Sequence, residues 1–474
     1  MSYGLYIGKN LTSDGHAWLA GYGDEPSSHW LEIIPRKKYQ KNQKITVGMT
    51  KDADMPGKQI KIPQIPETYK HIRVSYSYYL GAPSPLTNGG LNEHGVAVRD
   101  IWSTSRKELI DMTPKNQTGP NYSDFARIVL ERAKTAKQAV KIVADLIKKY
   151  GESSYGGNSH IFADSNEAWV MIQFAGGVGL WAAERLGPNS IRASRPGYIE
   201  EIPIDEKNNP NYLYSDNLIK FCKKKGWYLK GNFNVNKILG DKKGKWEGVR
   251  WIEGEIKKLS QKLGKITLQD VMWSIRTTKL TGDTAGYGQI VPLHDPSYND
   301  LRMLWHSPIG AVAAPFSPIF IGQTIVPEEF MMHRYLTVGE SHRFLDERKK
   351  DIKDSISLVN QGVESTTSAV YECKRLLYLI LQNEKLFHYT STKLFENREK
   401  KLIDKTTNIF EIAKVLLKKN EKNLSEKILN AFSVNELRKG LKLVQTISKN
   451  METHLRQTKG FNKNTKPVSF EQIW

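Results

Sequence analysis

Ser2-Tyr3-Gly4-Leu5-Tyr6-Ile7-Gly8-Lys9-Asn10, then Asp14-Gly15, stands at the head of the chain. From Tyr3 to Gly8 large apolar residues alternate with small ones; Asn10 to Gly15 gathers turn formers; His16 to Gly21 returns as a second short run. A period of two marks a strand, and clustered Asn, Ser, Asp and Gly turn the chain between strands. The stretch reads as a β-hairpin that begins at residue 2.

Outward from it, Asn88-Gly89-Gly90 reads as a turn ahead of the run Leu91 to Val98. Residues 123–149 switch to helical spacing, and a capping box at Thr135 and Gln138 divides them into two short helices. His160 to Gln173 reads as a hairpin about Asp164-Ser165-Asn166, with strand continuing through Trp181 to Ile191. Thr267 followed by Asp270 opens a helix carrying Val271, Ile275 and Leu280, and Gly282 to Pro327 reads as irregular chain and short strands. From Asp346 onward the lysine-rich tail is helical, with Tyr371, Leu376, Leu377 and Ile380, then Ile412, Val415 and Leu416. Strands, then helices, then strands again predict layered α+β packing, with a first domain over 2–345 and a helical C-terminal region over 346–474 packed on it.

With 474 residues, 39% hydrophobic and 10% aromatic, the chain can bury a large core. It contains no run of about 18 apolar residues, and MSYGLYIGKN lacks the charged start and apolar run of a signal peptide. The expectation is a soluble chain with no integral membrane segment, cytoplasmic as it stands and secreted or periplasmic if a leader has been removed. The net charge of +20 fits nucleic acid, an anionic surface or a lysine-rich proteome. Lysines set among glutamates and asparagines, as in Lys418 to Lys427, read as solvated helix faces, so nucleic acid is not an expected partner. Cys222 and Cys373 match no redox or metal spacing and read as buried small hydrophobes; the eleven histidines form no HExxH, so neither metal nor cofactor is expected. Trp169, Trp181, Trp273 and Trp305 read as core.

The opening segment resembles the start of mature dipeptidase-A-type peptidases of the N-terminal-nucleophile (Ntn) hydrolases, relatives of secernins and choloylglycine hydrolases. Four further segments agree in order: Gly89-Gly90-Leu91-Asn92-Glu93-His94-Gly95-Val96-Ala97; Ala163-Asp164-Ser165-Asn166-Glu167-Ala168-Trp169; Trp181-Ala182-Ala183-Glu184-Arg185 with Arg195 beyond; and Pro315-Phe316-Ser317-Pro318. The resemblance covers residues 2–340 and, more loosely, Ser368 to Ile380. It implies a four-layer αββα sandwich with a C-terminal helical extension, and it places Ser2 where the family carries its catalytic cysteine. A hydroxyl or thiol beside a free α-amine can pass its proton to that amine, whose ordinary pKa of about 7.7–8.0 leaves a useful fraction neutral. While Met1 is attached the nitrogen is an amide, so Met1 must be removed for this chemistry to run. Serine in place of cysteine reads in three ways: an engineered replacement, a natural serine nucleophile, or a catalytically dead relative.

The resemblance implies four further site residues. Asp24 would orient and tune the α-amine, and Asn92 would donate to the oxyanion hole. Asn158 would supply a second donor or bind substrate, and Arg195 would hold a peptide carboxylate. Many relatives carry arginine in the loop where this chain has Gly21. His94 is not required by the mechanism. The implied activity is hydrolysis of dipeptides or short peptides through an acyl-enzyme without a cofactor. The alternatives are an amidohydrolase of non-peptide amides and a binding homologue without catalysis, and a homo-oligomer is left open.

Overall fold

The structure is a computed structural model that describes residues 2–23, 29–51, 53–76, 82, 85–206, 208–263, 265–282, 285–332 and 368–458. The opening hairpin forms where the alternation demands it. Strand β1 (Tyr3–Ile7) runs antiparallel to β2 (Ala17–Gly23), with Tyr3 opposite Tyr22 and Ile7 opposite Trp18. Asp14 Oδ1 accepts the His16 N–H at the turn.

Next come β3 (His29–Ile34), β4 (His71–Tyr76), β5 (Leu86–Asn92) and β6 (Ala97–Trp102). Helices α1 (Tyr122–Arg132) and α2 (Ala136–Tyr150) follow, then β7 (Asn158–Ala163), β8 (Ala168–Gln173), β9 (Trp181–Leu186), β10 (Ile191–Ser194) and β11 (Tyr212–Tyr214). After α3 (Glu247–Leu263) and α4 (Leu268–Arg276) come β12 (Tyr287–Leu293), β13 (Met303–Pro308) and β14 (Ser317–Phe320). Three helices, α5 (Ala369–Gln382), α6 (Glu384–Lys418) and α7 (Lys422–Thr458), complete the described chain. The strands build a six-stranded sheet in the order β10-β1-β2-β12-β13-β14 and an eight-stranded sheet in the order β11-β9-β8-β7-β6-β5-β4-β3. Every neighbouring pair in both is antiparallel, an α+β arrangement.

Strand alternation sends side chains to two faces, and here both faces are buried, so the strands read as nearly continuous apolar runs. Tyr6, Leu19, Ile101, Ile161, Val170 and Leu304, drawn from both sheets, share one buried cluster. The opposite face of the six-stranded sheet sets Tyr3, Leu5 and Tyr22 against Val249 and Ile252 of α3 and Val271 and Ile275 of α4. The opposite face of the eight-stranded sheet sets Val98, Phe162 and Trp169 against Phe125 and Val129 of α1 and Val140 and Val143 of α2. Trp169 and Trp305 are core; Trp181 and Trp273 are only partly buried.

Several elements differ from the sequence reading. Asn88-Gly89-Gly90 lies inside β5, and the turn is Glu93-His94-Gly95. Asn92 fixes it there, because its Oδ1 accepts the N–H groups of His94 and Val96 while its Nδ2 donates to the carbonyls of Leu130 and Ala133. At Thr135 the hydroxyl accepts the Gln138 N–H, but Gln138 Oε1 reaches back to Lys134 N, so only half of a capping box forms. Helix α4 carries a full box at Thr267 and Asp270 and stops at Arg276, short of Leu280. The glycine-rich stretch read as irregular chain and short strands supplies β12 to β14, half of the six-stranded sheet.

The expected boundary near residue 345 lies outside the described residues. Helix α7 packs along the edge strand β14, and covering an edge in this way removes a row of unpaired backbone groups from reach. Val370, Phe387 and Val444 from the three C-terminal helices join Ile309 and Val312 in one cluster. Glu399 of α6, 1% exposed, accepts from Arg276 Nη2 at 2.5 Å and from the Phe316 N–H at 2.8 Å. Cys222 and Cys373 are both free and buried, and burial pushes the Cys222 thiol up to about 11 and the Cys373 thiol higher still.

Candidate active site around Ser2

Ser2 immediately precedes β1 and is 5% exposed. By the two-residue alternation it shares a face with Gly4 and Tyr6, the face turned toward the eight-stranded sheet. At Gly4 the sheets come very close: a Cβ there would stand 2.7 Å from Ile101 Cδ1 and 3.0 Å from Ile161 Cδ1. A side chain at this position would displace both isoleucine methyl groups.

The direction of β1 over the other sheet follows from its far end. The Gly8 N–H donates to Ser190 O and the Tyr6 hydroxyl to Gly187 O, beside the end of β9 at Leu186. Leu186 pairs with Ala168, Ala168 with Ala163, and Ala163 with Ala97. Ile7 therefore lies toward that edge, and Ser2 lies toward the opposite one, where Trp102, Asn158 and Gln173 are partners.

Arg195 agrees with that placement. Its Nη1 donates to the Ser2 carbonyl at 2.8 Å, and its guanidinium carbon stands 5.4 Å from the Trp102 ring centre and 4.6 Å from that of Trp246. It is 5% exposed. A guanidinium packed against two indole rings, themselves edge-to-face, is held by its ring contacts as well as by hydrogen bonds. Ser2 and Arg195, distant in sequence, are thus in direct contact.

Asn158 is at the same edge, opposite Trp102. Its Oδ1 accepts from the Tyr155 hydroxyl at 2.9 Å, and its Nδ2 donates to Asp100 Oδ1 at 2.6 Å and to its neighbour's carbonyl, Ser159 O, at 3.2 Å. Both amide protons have acceptors within the protein in this arrangement. Next to this group, His160 Nε2 lies 3.7 Å from Asp100 Oδ1, and burial lowers the imidazole to about 4, so it is neutral near pH 7.

Asn92 does not join the site. It closes β5 next to Leu91, which pairs with Ala97, and so belongs to the edge at which β1 ends. With its amide committed to the turn and to two carbonyls near the end of α1, it cannot serve as the expected oxyanion donor. Asp24 lies outside the described residues. Among the described residues no group of three His, Cys, Asp or Glu side chains could hold a metal ion.

Three contributors escaped the sequence reading: Asp100, Trp102 and Trp246. The signal for the first was available, since Arg99-Asp100 interrupts the apolar run Val96 to Trp102 in a strand buried on both faces. Trp102 and Trp246 gave none, because one lies at the end of a strand and the other in the irregular chain before α3.

Comparison with known proteins fits this geometry. The sequence profile of peptidase family C69 matches residues 4–248. The chain is 24% identical over 305 residues to a probable dipeptidase of Latilactobacillus sakei, covering 58% of this chain and 59% of that one. It is 27% identical over 243 residues to a probable dipeptidase B of Streptococcus pyogenes serotype M3, covering 49% of this chain and 45% of that one. These matches span less than two thirds of the relatives' own lengths. Among solved structures, a mutant of the conjugated bile acid hydrolase from Clostridium perfringens aligns over 70% of this chain and 99% of that one, at 13% identity and a TM-score of 0.31, too loose a likeness to carry an argument.

Proposed function

The chain belongs to peptidase family C69, and from that membership we propose that it hydrolyses dipeptides or short peptides with Ser2 as its N-terminal nucleophile. The observation that carries the reading is the contact between Arg195 and the Ser2 carbonyl, which fixes the head of β1 at the edge shared by Trp102 and Asn158. We read the packing order of helices, sheet, sheet and helices as the four-layer sandwich of this mechanism class, a reading supported by the three separate apolar clusters.

In the proposed cycle the bond between Met1 and Ser2 is cut first. The freed α-amine takes the Ser2 hydroxyl proton as the oxygen attacks the peptide carbonyl carbon. The tetrahedral intermediate collapses, the leaving amine takes that proton, and an ester to Ser2 remains. Water then adds to the ester and gives a proton to the α-amine. Collapse releases the carboxylic acid and returns the proton to the Ser2 oxygen. Arg195 acts in this scheme by holding the Ser2 backbone; with Nη1 already engaged there, it is an anchor for the nucleophile rather than a two-armed clamp for substrate. Asp24 retains its proposed role of orienting the α-amine.

The test is hydrolysis of a dipeptide panel by the purified chain and by Ser2→Cys, after mass spectrometry has established whether Met1 is gone. Turnover by either form that is abolished by Ser2→Ala supports the reading. With Met1 removed and the fold intact, silence of both forms on dipeptides overturns it, and cleavage of a bile-salt or penicillin amide in the same panel redirects it to non-peptide substrates.

A further inference from the structure

Gly21 and Arg99 share one space. A Cβ on Gly21 would stand 2.9 Å from Arg99 Nε and would press on the carbonyl of Tyr3, the residue after Ser2. The guanidinium therefore lies against the backbone of the hairpin that carries Ser2, although Arg99 itself belongs to β6 in the other sheet. It is fully buried. Nη2 donates to Tyr22 O at 2.7 Å and to Asp100 O at 3.1 Å. Nη1 donates to Asn88 O and Asn88 Oδ1, both at 3.2 Å, and to the Tyr287 hydroxyl.

All of these acceptors are neutral, and Nε has no hydrogen-bond acceptor among the described residues. A buried cation held only by neutral dipoles is costly, and that cost is offset where negative charge forms beside it. The hairpin backbone it lies against, at Tyr3 and Tyr22, leads directly to Ser2, the residue before Tyr3. A positive charge there favours loss of the proton both from the nucleophile and from the α-ammonium group.

We propose that Arg99 is a positioning residue of the nucleophile site: a cation delivered from the opposite sheet, admitted by the missing side chain at Gly21, that favours deprotonation at residue 2. This rests on the reading of Ser2 as nucleophile.

The test uses the Ser2→Cys protein with Met1 removed, and follows alkylation of the residue 2 thiol by iodoacetamide against pH, with site assignment by mass spectrometry. Adding Arg99→Gln should move the alkylation midpoint up by about one pH unit, while Arg99→Lys, which keeps the charge, should leave it close to its starting value. Asn88→Asp keeps Arg99 in place and sets a carboxylate against Nη1, so it should also move the midpoint up; it decides the matter if Arg99→Gln does not fold. An unmoved midpoint in the folded variants overturns the proposal. Dipeptide hydrolysis, read on the same samples, separates the two ideas: turnover with an unmoved midpoint removes Arg99 and leaves the peptidase reading, whereas a moved midpoint without turnover in any form removes the peptidase reading and leaves the tuning by Arg99.

Discussion

Asn92 and Arg195 were drawn from the same resemblance and took opposite places in the structure. Arg195 touches Ser2, whereas Asn92 ties a turn to the end of a helix at the other edge of the sheets. The two roles predict different failures. Asn92→Ala strips partners from two carbonyls and two N–H groups, and should cost about 2–3 kcal/mol, measured as a lower urea midpoint, while activity per folded molecule is kept. A variant of full stability and lost turnover would return Asn92 to the site. Asn-Glu-His-Gly is turn chemistry, yet the glycine pair at Gly89-Gly90 drew the turn to the wrong place, since both glycines lie within β5. The distance of Asn92 from Ser2 was not legible, because which end of β5 lies beside the head of β1 depends on how two sheets are laid over one another. Arg99 stands out as a charge within an apolar run, but its contact with the first hairpin depends on the same overlay of sheets.

At the scale of strands, the opening hairpin and the β7-β8 hairpin were read correctly, since alternation and a turn cluster are local properties. The short strands expected between Gly282 and Pro327 are β12 to β14; their bounds and partners were not legible, because their glycines and prolines look like loop and the pairing is supplied by neighbours distant in sequence. Three buried strand histidines are held neutral by their surroundings: His71 in β4, His160 in β7 and His306 in β13. Burial lowers His71 and His160 to about 4 and His306 to about 3. Because these folded values lie below the unfolded value of about 6.5, the unfolded chain binds protons first on acidification. Their contribution to stability is full above pH 6.5 and is lost as pH falls toward 4, at about 1.4 kcal/mol per pH unit for each histidine. Urea midpoints at pH 7, 6 and 5 should fall in order, and His160→Gln should flatten the slope. Midpoints that stay level over that range would show that the imidazoles are not held neutral.

Across the whole molecule, the C-terminal helices are joined to the rest by buried charge as well as by apolar packing. Glu399 pairs with Arg276 at the end of α4 and caps the Phe316 N–H, both deeply buried. Glu399→Ala leaves Arg276 without its counter-charge and should cost about 3–5 kcal/mol. Differential scanning calorimetry should show a single transition at lower temperature; an unchanged main transition with a separate early one would mean that the helices melt independently. Sequence periodicity made these helices visible but said nothing of the acid that joins them to the sheet, since a glutamate in a lysine-rich helix reads as solvent-facing. The two native sulfhydryls have a practical side. Cys222 and Cys373 are shielded from solvent and strongly protonated, so in a chain carrying cysteine at position 2 a small electrophile finds one target. The number of labels taken up per molecule then counts the accessible thiols at position 2, and every rate can be expressed per reactive centre instead of per milligram.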